Sequence, residues 1–184
     1  MTVPWVHIWS SQEGFDETKT RVDRLCPNSK LRTALDGQDV GTLPQFYERI
    51  EQAVPLIRGL GRNLNALIDL FRTFGWGENA GGHHSFLWYH PEVLLQNSPQ
   101  DFGNVLDSIV GVSKELVCGE ETDPAFDPAN SNDWIPTRLE IILAFRDPEA
   151  ADGVAGMAKR LSDAWKDEFS SLDILVDRLD FDAA

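Results

Sequence analysis

Basic residues are scarce in this chain: 16 Lys and Arg stand against 30 Asp and Glu, a formal charge of −14 with a pI of about 4.5. Such a surface repels phosphate, which argues against direct RNA or DNA binding and favours a basic partner. Acidity of this degree also serves solubility alone, so charge by itself names no function. Cysteine is scarcer still. Cys26 and Cys118 lie far apart and in no CxxC pattern, which suggests neither a disulfide scaffold nor a zinc site and leaves free buried thiols as the expectation. No stretch approaches the ~18 uninterrupted apolar residues that a membrane span needs. The start, Met1-Thr2-Val3-Pro4-Trp5, lacks the basic-then-apolar pattern of a signal peptide, so a cytoplasmic protein without membrane contact is expected. Internal repeats and low-complexity tracts are also missing.

What is present reads as one α/β domain over residues 1–184, since a chain of 184 residues is long for one core and short for two. Val3–Trp9 alternates loosely, as a strand does, whereas Ser10–Lys30 offers few apolar anchors. Leu31–Leu35 closes at the Asp36-Gly37 turn signal and reads as a short strand. Thr42 and Pro44 open a helix carrying Phe46, Tyr47, Ile50, Ala53 and Val54 at helical spacing. Gly59-Leu60-Gly61 turns into a second helix, capped by Asn63 and running to about Thr73, with Leu64, Leu67, Ile68 and Phe71 on one face and Asn65, Asp69 and Arg72 on another. A glycine-rich loop, Gly75–Gly82, precedes a buried strand at Ser85–Tyr89. Phe102–Leu116 has helical periodicity, and Gly119–Pro136 reads as a long loop. Leu139–Phe145 is almost continuously apolar, the pattern of a central strand covered on both faces. Val154–Phe169 marks a last helix, and Leu172, Ile174 and Val176 a last strand that would extend the sheet. This order predicts a mostly parallel sheet with right-handed crossovers and helices packed on it.

Leu35-Asp36-Gly37, the helix with Leu43, Phe46 and Tyr47, and above all Gly61-Arg62-Asn63-Leu64-Asn65-Ala66-Leu67-Ile68-Asp69 together resemble the barstar family of ribonuclease inhibitors. That family shows a glycine, a variable residue, then Asn-Leu-Asp-Ala-Leu-aromatic-Asp at the start of its second helix. Gly61, Asn63, Leu64, Ala66, Leu67 and Asp69 match, while Asn65 replaces the usual Asp and Ile68 the usual Trp. The resemblance covers about residues 30–147, leaving 1–29 and 148–184 as additions to a compact fold of parallel strands flanked by helices. It implies an inhibitor that is not an enzyme, needs no cofactor or metal and acts as a monomer. Its second helix would enter the cleft of a basic ribonuclease, or other nuclease toxin, and present carboxylates where RNA phosphates lie. Asp69 matches the family's central acidic contact, with Leu60, Gly61, Arg62, Asn63, Asn65 and Ile68 around it and Phe74 or Trp76 as the aromatic after the helix. Asn65 and Arg62 make this surface less acidic than the family pattern, and the family's further acidic contact falls near Gly111.

Spacing alone gives plainer roles to the same residues. Asp69 can pair with Arg72 or Arg62 on a solvated helix face, Gly61 can be a positive-φ turn residue, and Asn63 an ordinary cap. The alternative function is a small α/β enzyme using a carboxylate and histidines of the Gly75–His90 segment. His83, His84, His90 and Glu92 match no metal motif, adjacent histidines after glycines being more often exposed. Gly75-Trp76-Gly77-Glu78-Asn79-Ala80 formally fits a dinucleotide fingerprint but follows a helix and precedes a strand, the reverse of the required context.

Overall fold

A computed structural model describes residues 5–54, 59–75, 78, 80–118, 135–164 and 176–181. Five parallel strands, β1 (Val6–Ser10), β2 (Ser29–Asp36), β3 (Gly82–Tyr89), β4 (Thr137–Phe145) and β5 (Val176–Asp180), form one sheet in the order β2-β3-β4-β1-β5. Among the described residues six α-helices lie between them: α1 (Phe15–Leu25), α2 (Leu43–Ala53), α3 (Leu64–Arg72), α4 (Glu92–Asn97), α5 (Pro99–Cys118) and α6 (Pro148–Ala164). The α/β class expected from the sequence is therefore found, with β4 central as its apolar run requires.

The strands alternate between two cores. Val6, Ile8, Leu35, Phe86, Trp88, Leu139, Ile141 and Leu143 face the larger one, where Phe46, Ile50, Leu67, Phe71, Phe102, Ile109 and Val154 bring in α2, α3, α5 and α6. Trp9, Leu87, Tyr89, Ile142 and Ala144 face the smaller one, which Val22 and Phe15 of α1 cover. This division follows from connectivity. The path β2-β3-β4 steps across the sheet one way, whereas β1-α1-β2 crosses back the other way. Connections of one hand must then lie on opposite faces, so α1 occupies the second face.

Two expectations need correction. The polar stretch after β1 contains α1: Phe15, Thr18 and Val22 recur at i, i+3 and i+7, and the Gly14 N–H donates to the Glu17 carboxylate at 3.0 Å, closing the first turn. The last strand extends the sheet as expected, and β1 of the first segment lies between it and β4. The last strand occupies Val176–Asp180; the predicted stretch meets it only at Val176, and residues 172–175 lie outside the described residues, as do 165–169 of the predicted last helix and 119–134 of the predicted loop.

Candidate functional site

Helix α3 starts where the sequence places its cap. The Asn63 side chain accepts a hydrogen bond from the Ala66 N–H at 2.9 Å, satisfying one of the free amides of the first turn. Leu67, Leu70 and Phe71 are buried and fix the helix against the large core, with Leu60, Leu64 and Ile68 packed part-buried beside it. The opposite side is open: Gly61, Arg62, Asn63, Asn65 and Asp69 are exposed. Gly61 has a physical reason other than turn geometry. Its φ is not positive; a Cβ there would come to 3.0 Å from the Ala66 Cβ, so glycine lets the incoming loop press on the first helical turn, and Gly59, at φ 82°, makes the left-handed turn instead.

Asp69 keeps 70% of its side-chain surface exposed. Its carboxylate lies 3.4 Å from Arg72 Nη1, and Arg72 Nε donates to Glu115 of α5 at 2.8 Å, where the glutamate is largely covered. The chain of charges therefore runs from a shielded acid through a shared guanidinium to an open acid. Arg62 takes no part in it and pairs with Glu48 of α2 at 3.1 Å. Of the two pairings open to Asp69 from spacing, the structure shows the one with Arg72. Glu115, absent from the sequence reading, lies four residues after Gly111, one helical turn further along α5; α3–α5 packing, invisible in local periodicity, brings it here.

Phe74 does not belong to this surface. A 3-10 turn at Thr73–Gly75 swings its ring inward, where it is 1% exposed and meets Phe71 edge-to-face and His84 at a tilt, at centroid distances of 5.5 and 5.3 Å. An aromatic directly following an amphipathic helix satisfies the core as readily as a partner, and here the core takes it. Trp76 lies outside the described residues.

The histidines named as rivals do not converge. His84 is fully buried in β3 on the large core, its Nδ1 accepting the Leu31 N–H at 3.2 Å, whereas its neighbour His83 points to the other face, 3.5 Å from Glu140. Both lie in a strand and not in a glycine loop, so alternation separates them. His90 sits beyond the end of β3 with φ 57°, its Nδ1 3.1 Å from Glu92, whose carboxylate also accepts the Arg146 N–H. Among the described residues no cluster of three metal-ligating side chains occurs, and no helix is long and apolar enough to cross a membrane.

A second polar group, unseen in the sequence, lies on the α1 face. The Cys26 thiol donates to Glu140 at 2.6 Å, and Arg138 pairs with the same carboxylate at 3.0 Å. Burial and the Glu140 carboxylate push the thiol pKa up to about 12. His7 is buried beside them, its Nδ1 3.9 Å from Asp177, and burial holds its pKa below the ordinary value despite Glu140 and Asp177.

Among protein families, the model described as Barstar (barnase inhibitor) matches residues 32–126. No curated protein and no solved structure matches the chain. The matched segment spans more than half of the 184 residues and takes in most of β2 and all of α2, α3, β3, α4 and α5, including the capped helix that exposes Asp69. The chain belongs to the barstar family of barnase inhibitors.

Proposed function

We propose that this protein inhibits a basic ribonuclease by seating α3 and the loop before it in the enzyme's cleft, and that it has no catalytic role. The observation that carries the reading is Asp69: an open carboxylate on a rigidly capped helix, within the segment that matches the family. A ribonuclease cleft holds phosphate with cationic side chains, and the same groups grip a carboxylate through short, charge-assisted hydrogen bonds. Asn63 sets the helix start, Asn65 adds an amide one turn before Asp69, and Gly61 keeps the loop close enough to enter with the helix. Leu60 and Ile68 supply part-exposed apolar surface around the acid.

Arg62 and Asn65 leave this surface less negative than the family pattern, so the cognate enzyme differs from one matched to a fully acidic helix. The net charge of −14 still draws a basic partner, with an attraction that salt screens over ~10 Å at 0.1 M. Protection is needed where the nuclease would meet the cell's own RNA, which places a monomeric inhibitor in the cytoplasm.

The test uses two columns, one carrying the wild-type chain and one Asp69→Ala, loaded with host extract and eluted with salt. Ribonuclease activity should be retained on the first and recovered on raising salt. Truncating one partner of a hydrogen-bonded interfacial charge pair costs about 2–5 kcal/mol, or about 30-fold to several-thousand-fold in affinity, so the second column should pass it through. Equal retention on both columns would remove Asp69 from the site; no ribonuclease on either would remove the function.

A further inference from the structure

The hollow between α1 and the sheet supports a second site, independent of α3. It has a volume of about 160 Å³ and is lined by Lys19, Val22 and Asp23 of α1, Arg32, Thr33 and Ala34 of β2, and Ser85 and Leu87 of β3. Strand register explains why the hollow exists. Arg32 pairs with Ser85 and Ala34 with Leu87, so four side chains form a patch on the α1 face. Two of the four, Ala34 and Ser85, are too small to reach the helix above them.

Among the polar groups that line the hollow, one is buried without a partner. Ser85 is 2% exposed, and its hydroxyl finds no hydrogen-bond partner among the described residues. Leaving a buried hydroxyl unpaired costs free energy, and such a group calls for a partner that the fold does not supply. The charges at the rim are already matched: Arg32 pairs with Asp23 at 3.0 Å and donates to the Pro27 carbonyl, and Lys19 pairs with Asp16 at 2.6 Å. A charged ligand would have to break one of those pairs, whereas a neutral one would not. An engineered apolar cavity of about 150 Å³ accepts benzene, which sets the size of occupant that this volume admits.

We infer that the hollow under α1 binds a small neutral molecule with an apolar, ring-sized body and one hydroxyl, the body on Val22, Ala34 and Leu87 and the hydroxyl on Ser85. Phenol is the probe, and toluene its partner without the hydroxyl. Methyl and amide resonances of Val22, Ala34 and Leu87 in the full chain should move saturably with phenol at millimolar concentration. Toluene should bind about 2- to 12-fold more weakly, the range of one net hydrogen bond. Ser85→Ala removes only the hydroxyl and should bring the two probes to equal affinity, while Ala34→Leu should abolish binding of both. Circular dichroism of each variant verifies that the fold is retained. Absence of saturable shifts would mean that the hollow holds water alone and would overturn the site. Equal affinity of the two probes in the wild type, or an unchanged preference in Ser85→Ala, would overturn the role of the hydroxyl.

Discussion

Ile8→Ala measures whether β1 is a member of the sheet's core or an attachment to it. Ile8 is 0% exposed, stands opposite Leu143 of β4 and Arg178 of β5, and belongs to the large core shared with α2, α3, α5 and α6. Truncation removes three carbon atoms from a site hemmed in by strands on both sides, where collapse around the void is restricted, so a cost in the middle of the usual ~2–5 kcal/mol is expected. At about 3.5 kcal/mol and a slope of about 2.5 kcal/mol per molar urea, the midpoint falls by roughly 1.4 M. The loss is a large part of an ordinary total of ~5–15 kcal/mol, yet leaves a folded protein at low urea. Far-ultraviolet circular dichroism and tryptophan fluorescence, followed together, should give coincident transitions for wild type and variant. A midpoint shift below about 0.4 M, or a separate early transition that leaves the main one in place, would show that β1 and β5 fold apart from the family segment.

Three further outcomes follow from the site and its surroundings. Phe74→Ala should cost about 3–5 kcal/mol of stability, read by urea titration, while leaving affinity for the retained nuclease unchanged at temperatures where the variant is folded; lost affinity without lost stability would return Phe74 to the interface. His7 is held neutral by burial, with its pKa below 6.5, so the unfolded chain binds its proton more readily than the folded one. Its contribution to stability is therefore fully present above about pH 6.5 and is lost as pH falls through the lowered value, and His7→Gln should show a smaller drop in urea midpoint from pH 7.5 to 5.5 than wild type; an identical drop would place the acid sensitivity elsewhere. In a Cys118→Ser background, Cys26, with a pKa pushed up to about 12, should react with a disulfide reagent at pH 8 only on unfolding, and full labelling of the native protein within minutes would contradict the Glu140 contact.

Where one signal is local, the sequence and the structure agree. Asn63 announces α3 because a cap and the four apolar positions behind it all lie within one helix, and the run at Leu139–Phe145 announces β4 because burial on both faces leaves it no polar side. Helix α1 escaped notice because it packs on the smaller core through only Phe15 and Val22 with Thr18 between, a stripe too thin to rise above a polar stretch. Phe74 and Trp76 stand two residues apart, and only the 3-10 turn decides that the first ring goes inward. The pairing of Arg72 with Glu115, and the Cys26–Glu140 contact, join residues 43 and 114 positions apart, which no local pattern encodes. His83 and His84 are adjacent in the chain and lie on opposite faces of the sheet, so their proximity in sequence gave no site at all.

The two terminal segments also account for how this molecule is wound. Strands β2, β3 and β4 are joined through α2, α3 and α5, which pack on the large core, and among the described residues of that connection no helix lies on the other face. By adding β1 on the far side of β4 and returning through α1 to β2, the chain reverses the direction of travel and so puts a helix on the bare face. One helix of 11 residues spans only part of a five-stranded face. It seals Leu87, Tyr89 and Ile142, leaves the hollow beside Ser85, and borders the polar group around Glu140. Of the added helices, α1 therefore packs on the face opposite α3, while α6 joins α2, α3 and α5 on the large core. Asp69 and its neighbours remain open to a nuclease whatever occupies the other side, and substitutions under α1 should alter phenol binding without altering inhibition.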